Sequence, residues 1–133
     1  MQKTKEKPKH IDTLHFEHEV WNKRMEFYKI ELEFFTKRLE EVVQRYTDKE
    51  VLKGIEHFQN QFIIQRDVID RFLHDVNELE QGLIDEVKRN PVAVDHRLLK
   101  DHPEERDRYK TFIKLYDELK HEFWDFLRKW RYG

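Results

Sequence analysis

Between Ile11 and Tyr46 one set of residues recurs at alternating steps of three and four without a slip: Ile11, Leu14, His18, Trp21, Met25, Tyr28, Leu32, Phe35, Leu39, Val42 and Tyr46. A period near 3.5 residues marks a helix that lays one narrow face along other helices, whereas a strand requires a period of two. One long helix is therefore expected over residues 11–46. His18 is the single basic residue in its seam.

The rest of the chain obeys the same rule. From Lys9 to Asn90 there is no proline, and glycine occurs only at 54 and 82. The chain must turn once in that span, and Thr47-Asp48-Lys49-Glu50 is the place. Thr47 three residues before Glu50 has the capping-box pattern, with Asp48 as the other cap. A second helix over about 49–89 follows, with its seam at Ile55, Phe58, Phe62, Gln65, Ile69, Phe72, Val76, Leu79 and Leu83. Asn90-Pro91 ends it, because the residue before proline is pushed out of the helical region. Pro103 with Glu104 and Glu105 opens a third helix, whose first turn favours both proline and acidic groups. Its seam is Tyr109, Phe112, Tyr116, Leu119, Phe123, Phe126 and Trp130. Residues 91–102 read as a crossing segment with a short helical turn, since Val92, Val94, Leu98 and Leu99 need cover.

The expected fold is all-α: an antiparallel up-and-down bundle of three long helices with a short extra crossing segment, which dimerisation can complete. Residues 1–10 read as a flexible basic tail and 11–133 as one helical-bundle domain. Charged residues make up 41% of the chain, a fraction that elsewhere accompanies disorder, but the apolar residues here are periodic and 14% of the chain is aromatic. The formal net charge of −2 gives no general reason to bind nucleic acid. No run is long and apolar enough for a membrane span and no signal peptide is apparent, so a soluble cytoplasmic chain is expected. The absence of cysteine excludes disulfides and thiolate metal sites. The absence of serine removes the commonest nucleophile, and no glycine-rich phosphate loop is present. An enzyme without a metal is the least favoured class.

Helix one carries more apolar surface than one seam can use. Phe16, Val20, Phe27, Ile30 and Phe34 form a second stripe nearly opposite the first, and Ile63 and Ile64 point away from the seam of helix two. Several large apolar groups left in water are a solubility liability. These residues are the expected interface, covered by a second copy of the chain or by another helical protein.

Eight histidines among many carboxylates raise a metal alternative: a di-iron centre of ferritin-like or hemerythrin-like kind, or a site for another divalent metal. The candidate ligands are His15, His18, His74, Glu78, Glu118 and His121. They share a band roughly 12 Å deep if the third helix starts level with residue 89. The seams oppose convergence, since they turn His74, Glu78, Glu118 and His121 outward and leave only His18 inside, with His15 beside it. Set against the hemerythrin-like series of His-x-x-x-Glu, His-x-x-x-His and His-x-x-x-x-Asp, the chain has the first (His74/Glu78) and the last (His96/Asp101). It lacks the middle one, so no membership follows. The favoured expectation is a non-catalytic, self-associating or partner-binding bundle with no cofactor.

Overall fold

The computed structural model describes residues 9–89, 98–99 and 101–131. In chain order these form a two-residue strand β1 (Lys9–His10), helix α1 (Ile11–Arg45), helix α2 (Lys49–Arg89), a two-residue strand β2 (Leu98–Leu99) and helix α3 (Pro103–Arg131). The all-α bundle expected from the seams is the observed fold.

Each helix begins for a local reason. At α1 the His10 side chain caps the start, its Nδ1 accepting from the Asp12 amide at 3.1 Å. At α2 the cap is Asp48, not Thr47. Its Oδ1 accepts from the amides of Glu50 at 2.8 Å and Val51 at 3.4 Å, because the helix starts at Lys49 and only residue 48 stands in the capping position. At α3 Pro103 takes the first helical position, where its missing amide costs nothing, and Glu104 and Glu105 fill the first turn.

α2 runs antiparallel to α1, as the ion pairs Lys29–Asp70 (2.8 Å) and Arg66–Glu33 (3.7 Å) show. α3 runs parallel to α1, fixed by Arg106–Glu17 (2.6 Å) and Lys120–Glu31 (2.9 Å). The backbones of α1 and α2 lie close along their length. α3 stands further off and reaches the pair through long side chains, ion pairs at its edges and rings in its core face. Trp21 meets Phe72 and Tyr109, Tyr28 meets Phe112 and Tyr116, and Phe123 meets Phe35, Phe58 and Phe62. Burying such rings removes 150–250 Å² apiece from water, which makes this column the main source of cohesion. A smaller cluster of Ile11, Leu14 and Leu83 closes the end of the bundle near the start of α1.

Three expectations are corrected. The third helix does not start level with residue 89. Asp75 pairs with Arg108 at 2.7 Å and Phe72 stacks near Tyr109, which sets Pro103 level with about residue 80. The described part of the crossing segment is not a helical turn: Leu98 and Leu99 pair antiparallel with His10 and Lys9, while residues 90–97 and 100 lie outside the described residues. Finally, the sequence spaces Glu33–Lys37, Asp67–Arg71, Glu104–Arg108 and Asp125–Lys129 acid-to-base at four residues, an expectation of pairs along exposed faces, and of these Asp67–Arg71 forms at 3.0 Å. Glu33, Arg108 and Asp125 turn instead to Arg66, Asp75 and Arg128. For Glu33 and Arg108 a neighbouring helix offers a charge at the right height, while Asp125 takes a base three residues on in its own helix; a pair within one exposed helix is worth only ~0.2–0.5 kcal/mol.

Candidate functional site

Two features stand out from a well-packed bundle. The first is the second face of α1. Its seam residues are buried, so the opposite stripe is forced outward. Phe16 is 66% exposed, Phe27 54%, Ile30 68% and Phe34 59%, with Val20 at 39%; on α2 Ile63 is 69% and Ile64 50% exposed. The Lys29–Asp70 and Glu33–Arg66 pairs place Ile63 and Ile64 level with residues 35–36 of α1, beside the lower end of the stripe. Towards α3 the stripe borders a groove lined by Phe16, Val20, Lys23, Phe27 and Lys120. No crossing segment among the described residues covers this face.

The second feature is a chain of polar contacts where the starts of α1 and α3 meet α2. His18, only 1% exposed, lies between the ring column and the smaller apolar cluster. A buried imidazole needs partners for its ring nitrogens, and His18 has them. Its Nδ1 lies 2.9 Å from Glu80 Oε1 and its Nε2 lies 3.1 Å from His102 Nδ1. The other oxygen of Glu80 meets His15 Nδ1 at 2.5 Å, and His15 Nε2 faces Glu19 at 3.1 Å. The His18 and His102 rings are nearly parallel, 12° apart. Burial is the main influence on His102 and the neighbouring His18 the next; together they hold it below the usual histidine range.

Beside this chain Arg106 grips two carboxylates with a bidentate fork. It donates to Glu17 at 2.8 and 2.6 Å and to Asp101 at 2.9 and 2.7 Å. The Arg106 hydrogen bond is the first reason that the nearly buried Asp101 carboxyl stays well below its ordinary range.

The six metal candidates do not form one band. His15 and His18 meet at Glu80, and His74 and Glu78 pair with each other at 3.0 Å on the outer face of α2. Glu118 and His121 belong to another height of the bundle, because α3 starts nine or so residues away from the level assumed for it, ~13 Å along the axis. His121 instead bonds the Asp117 carbonyl at 2.8 Å. Among the described residues, His74, Asp75 and Glu78 are the group of three whose ligand atoms lie within 4.8 Å of one another, but Asp75 already holds Arg108.

Sequence reasoning missed Glu80 and His102. Glu80 borders the seam position Leu79, and it is the carboxylate of α2 able to reach an inward imidazole on α1. Treating the buried His18 as a group that must have partners points to it. His102 had no such signal, because it precedes its helix. Within the C-terminal run Arg128-Lys129-Trp130-Arg131-Tyr132, whose interleaved bases and aromatics could stack on nucleotides, Trp130 packs on the core, as its place in the third seam expects. No described helix is long and apolar enough to cross a membrane. Comparison of the chain with protein-family models, with curated proteins and with solved structures finds no match.

Proposed function

We propose that this protein is a non-catalytic helical bundle that pairs with a second copy of itself through the second face of α1. The observation that carries this reading is the exposed stripe Phe16–Phe34, whose positions 16, 20, 23, 27, 30 and 34 map onto themselves when the helix is reversed about residue 25, with Lys23 and Phe27 the one unlike pair. In an antiparallel pair centred on Met25, Phe16 lies level with Phe34 of the other copy, Val20 with Ile30, and Lys23 with Phe27. A twofold axis requires this kind of self-complementarity.

The charges agree. A twofold keeps each edge of the stripe on its own side, so Lys23 of one copy comes level with Glu26 of the other, twice. Neither has an ion-pair partner in its own chain among the described residues. Glu19 and Glu33, on the same edge, are already held by His15 and Arg66. Ile63 and Ile64 widen the contact at both ends. A second helical protein is less well matched, since nothing but a second copy need share that symmetric spacing. An anionic lipid surface is disfavoured by the acidic row Asp12, Glu19, Glu26, Glu33 and Glu40 along one edge.

Sedimentation equilibrium at micromolar concentration tests the reading. The expected result is a dimer that Ile30→Glu converts to a folded monomer. A wild-type chain that stays monomeric overturns it.

A further inference from the structure

One row of α1 recurs at seven-residue steps beside α3: Glu17, Arg24, Glu31, Arg38 and Arg45. Its acids meet bases, Glu17 with Arg106 and Glu31 with Lys120. Past Phe34, where the exposed stripe ends, the sign of the row reverses. Arg38 and Arg45 border a cleft between the last turns of α1 and α3, and the α3 wall of that cleft supplies another base, Arg128. Among the described residues the lining holds one carboxylate, Glu41. Three guanidinium groups thus gather about one acid in a chain whose formal net charge is −2.

None of these three charges ties one helix to another. Arg38 pairs with Glu41 at 3.2 Å and Arg128 pairs with Asp125, each three residues away on its own exposed helix face. Such exposed pairs contribute little, and an incoming anion can take over the guanidinium. Arg45 has no ion-pair partner among the described residues. A base in the last turn of α1 complements the helix dipole, which accounts for Arg45. It does not account for Arg38, two turns further back.

The space between the arginines is apolar. α3 stands off from α1, and Phe126 turns its ring to α2, against Phe58 and the bare backbone of Gly54. The volume left on the α1 side is about 560 Å³. Small-molecule sites span roughly 300–1,000 Å³. Val42, Leu127 and the Trp124 ring give the cleft its apolar surface, and Tyr46 bridges its two walls by donating its hydroxyl to the Trp130 carbonyl. Lysines already lie over both tryptophans, Lys120 at 5.2 Å from the Trp124 ring and Lys129 at 5.3 Å from that of Trp130. They add positive potential and oppose a cationic ligand.

We infer that this cleft binds an amphipathic monocarboxylate, a small molecule with one carboxylate on an apolar chain or ring. Arg38, Arg45 and Arg128 take the head, and the body lies on Val42, Leu127 and the Trp124 ring. A guanidinium fork matches the two oxygens of a carboxylate, and an apolar body displaces water from surface that no helix covers.

The test titrates the full chain with decanoate, followed by calorimetry and by the fluorescence of the cleft tryptophans. Decylamine, with the same chain and the opposite charge, is the matched probe. Decanoate is expected to bind at one equivalent per chain and at least 10-fold more tightly than decylamine. Arg38→Gln with Arg45→Gln, both at exposed positions where the fold should survive, is expected to weaken decanoate binding at least 10-fold. Arg71→Gln, an equal loss of charge on the outer face of α2, is expected to leave it unchanged. The inference is overturned if decanoate does not bind below millimolar concentration, or if decylamine binds as well. It is equally overturned if the double variant binds like wild type, which would assign the ligand to the exposed stripe, or if Arg71→Gln weakens binding as much as the double variant does.

Discussion

The Phe126 ring lies where a side chain on Gly54 would have to go. A Cβ built on Gly54 falls well inside van der Waals contact with the ring, which is itself packed against Phe58. Glycine inside a helix ordinarily costs ~0.5–1 kcal/mol relative to alanine. Here that cost allows α3 to close on the first turns of α2. Gly54→Ala should therefore destabilise by about 1–3 kcal/mol through overpacking, measured by chemical denaturation. Adding Phe126→Leu should return part of the loss. Gly82 is exposed with nothing within 4 Å of such a Cβ, and Gly82→Ala should stabilise by ~0.5–1 kcal/mol instead.

Arg106 joins three parts of the chain: α1 through Glu17, the segment before α3 through Asp101, and α3 itself. Arg106→Met should cost on the order of 2–4 kcal/mol, less than for a fully buried pair because Glu17 keeps some access to water. Arg106→Lys should recover little, since an ammonium cannot reproduce two bidentate grips. Equilibrium unfolding in urea measures both.

Tyr116 is 1% exposed and donates to Glu31 at 2.7 Å, while Lys120 donates to the other Glu31 oxygen at 2.9 Å. Burial first, then the bond to Glu31, raises the phenol far above its ordinary value of 10.0. A raised folded-state value means the contribution is intact below pH 10 and lost as the pH climbs, because only the unfolded chain can then release the proton. Stability should fall by ~1.4 kcal/mol per pH unit above about pH 10. Tyr116→Phe should flatten that slope, with Tyr109, raised by burial as well, keeping a remainder.

Charge reversal probes the pairing geometry. Lys23→Glu sets acid against Glu26 of the other copy on both sides of the dyad and should weaken the dimer about 10-fold, since two exposed like-charge contacts together amount to roughly 1.4 kcal/mol. Lys23→Glu with Glu26→Lys should restore it. Sedimentation over a concentration series reads both. If the double variant is as weak as the single one, the register is wrong.

The long helices were legible because their seams repeat: the positions buried on α1 from Ile11 to Leu39 are those that the three-and-four spacing selects. The exposed stripe was legible by the same counting, since a residue half a turn from a buried seam has nowhere to hide. What could not be read was height. The level at which α3 begins depends on the path of the crossing segment, and no periodicity encodes that path. Counting from an assumed start put His121 in one band with His18, at a level where the structure has His102 instead. The partners of buried groups were legible only in type: His18 demanded an acceptor, but the choice of Glu80 over Glu78 rests on which carboxylate lies nearer the seam.

That α3 stands off from the α1–α2 pair has a consequence for how the native state breathes. A helix held by rings across a wider gap loses its cohesion in one step once those rings part. The hairpin, whose backbones lie close and whose connection is short, keeps its own contacts. The chain should thus hold two cooperative units of unequal opening free energy. Amide exchange should reveal α3 releasing its protons first while the middle of α1 and α2 still resists.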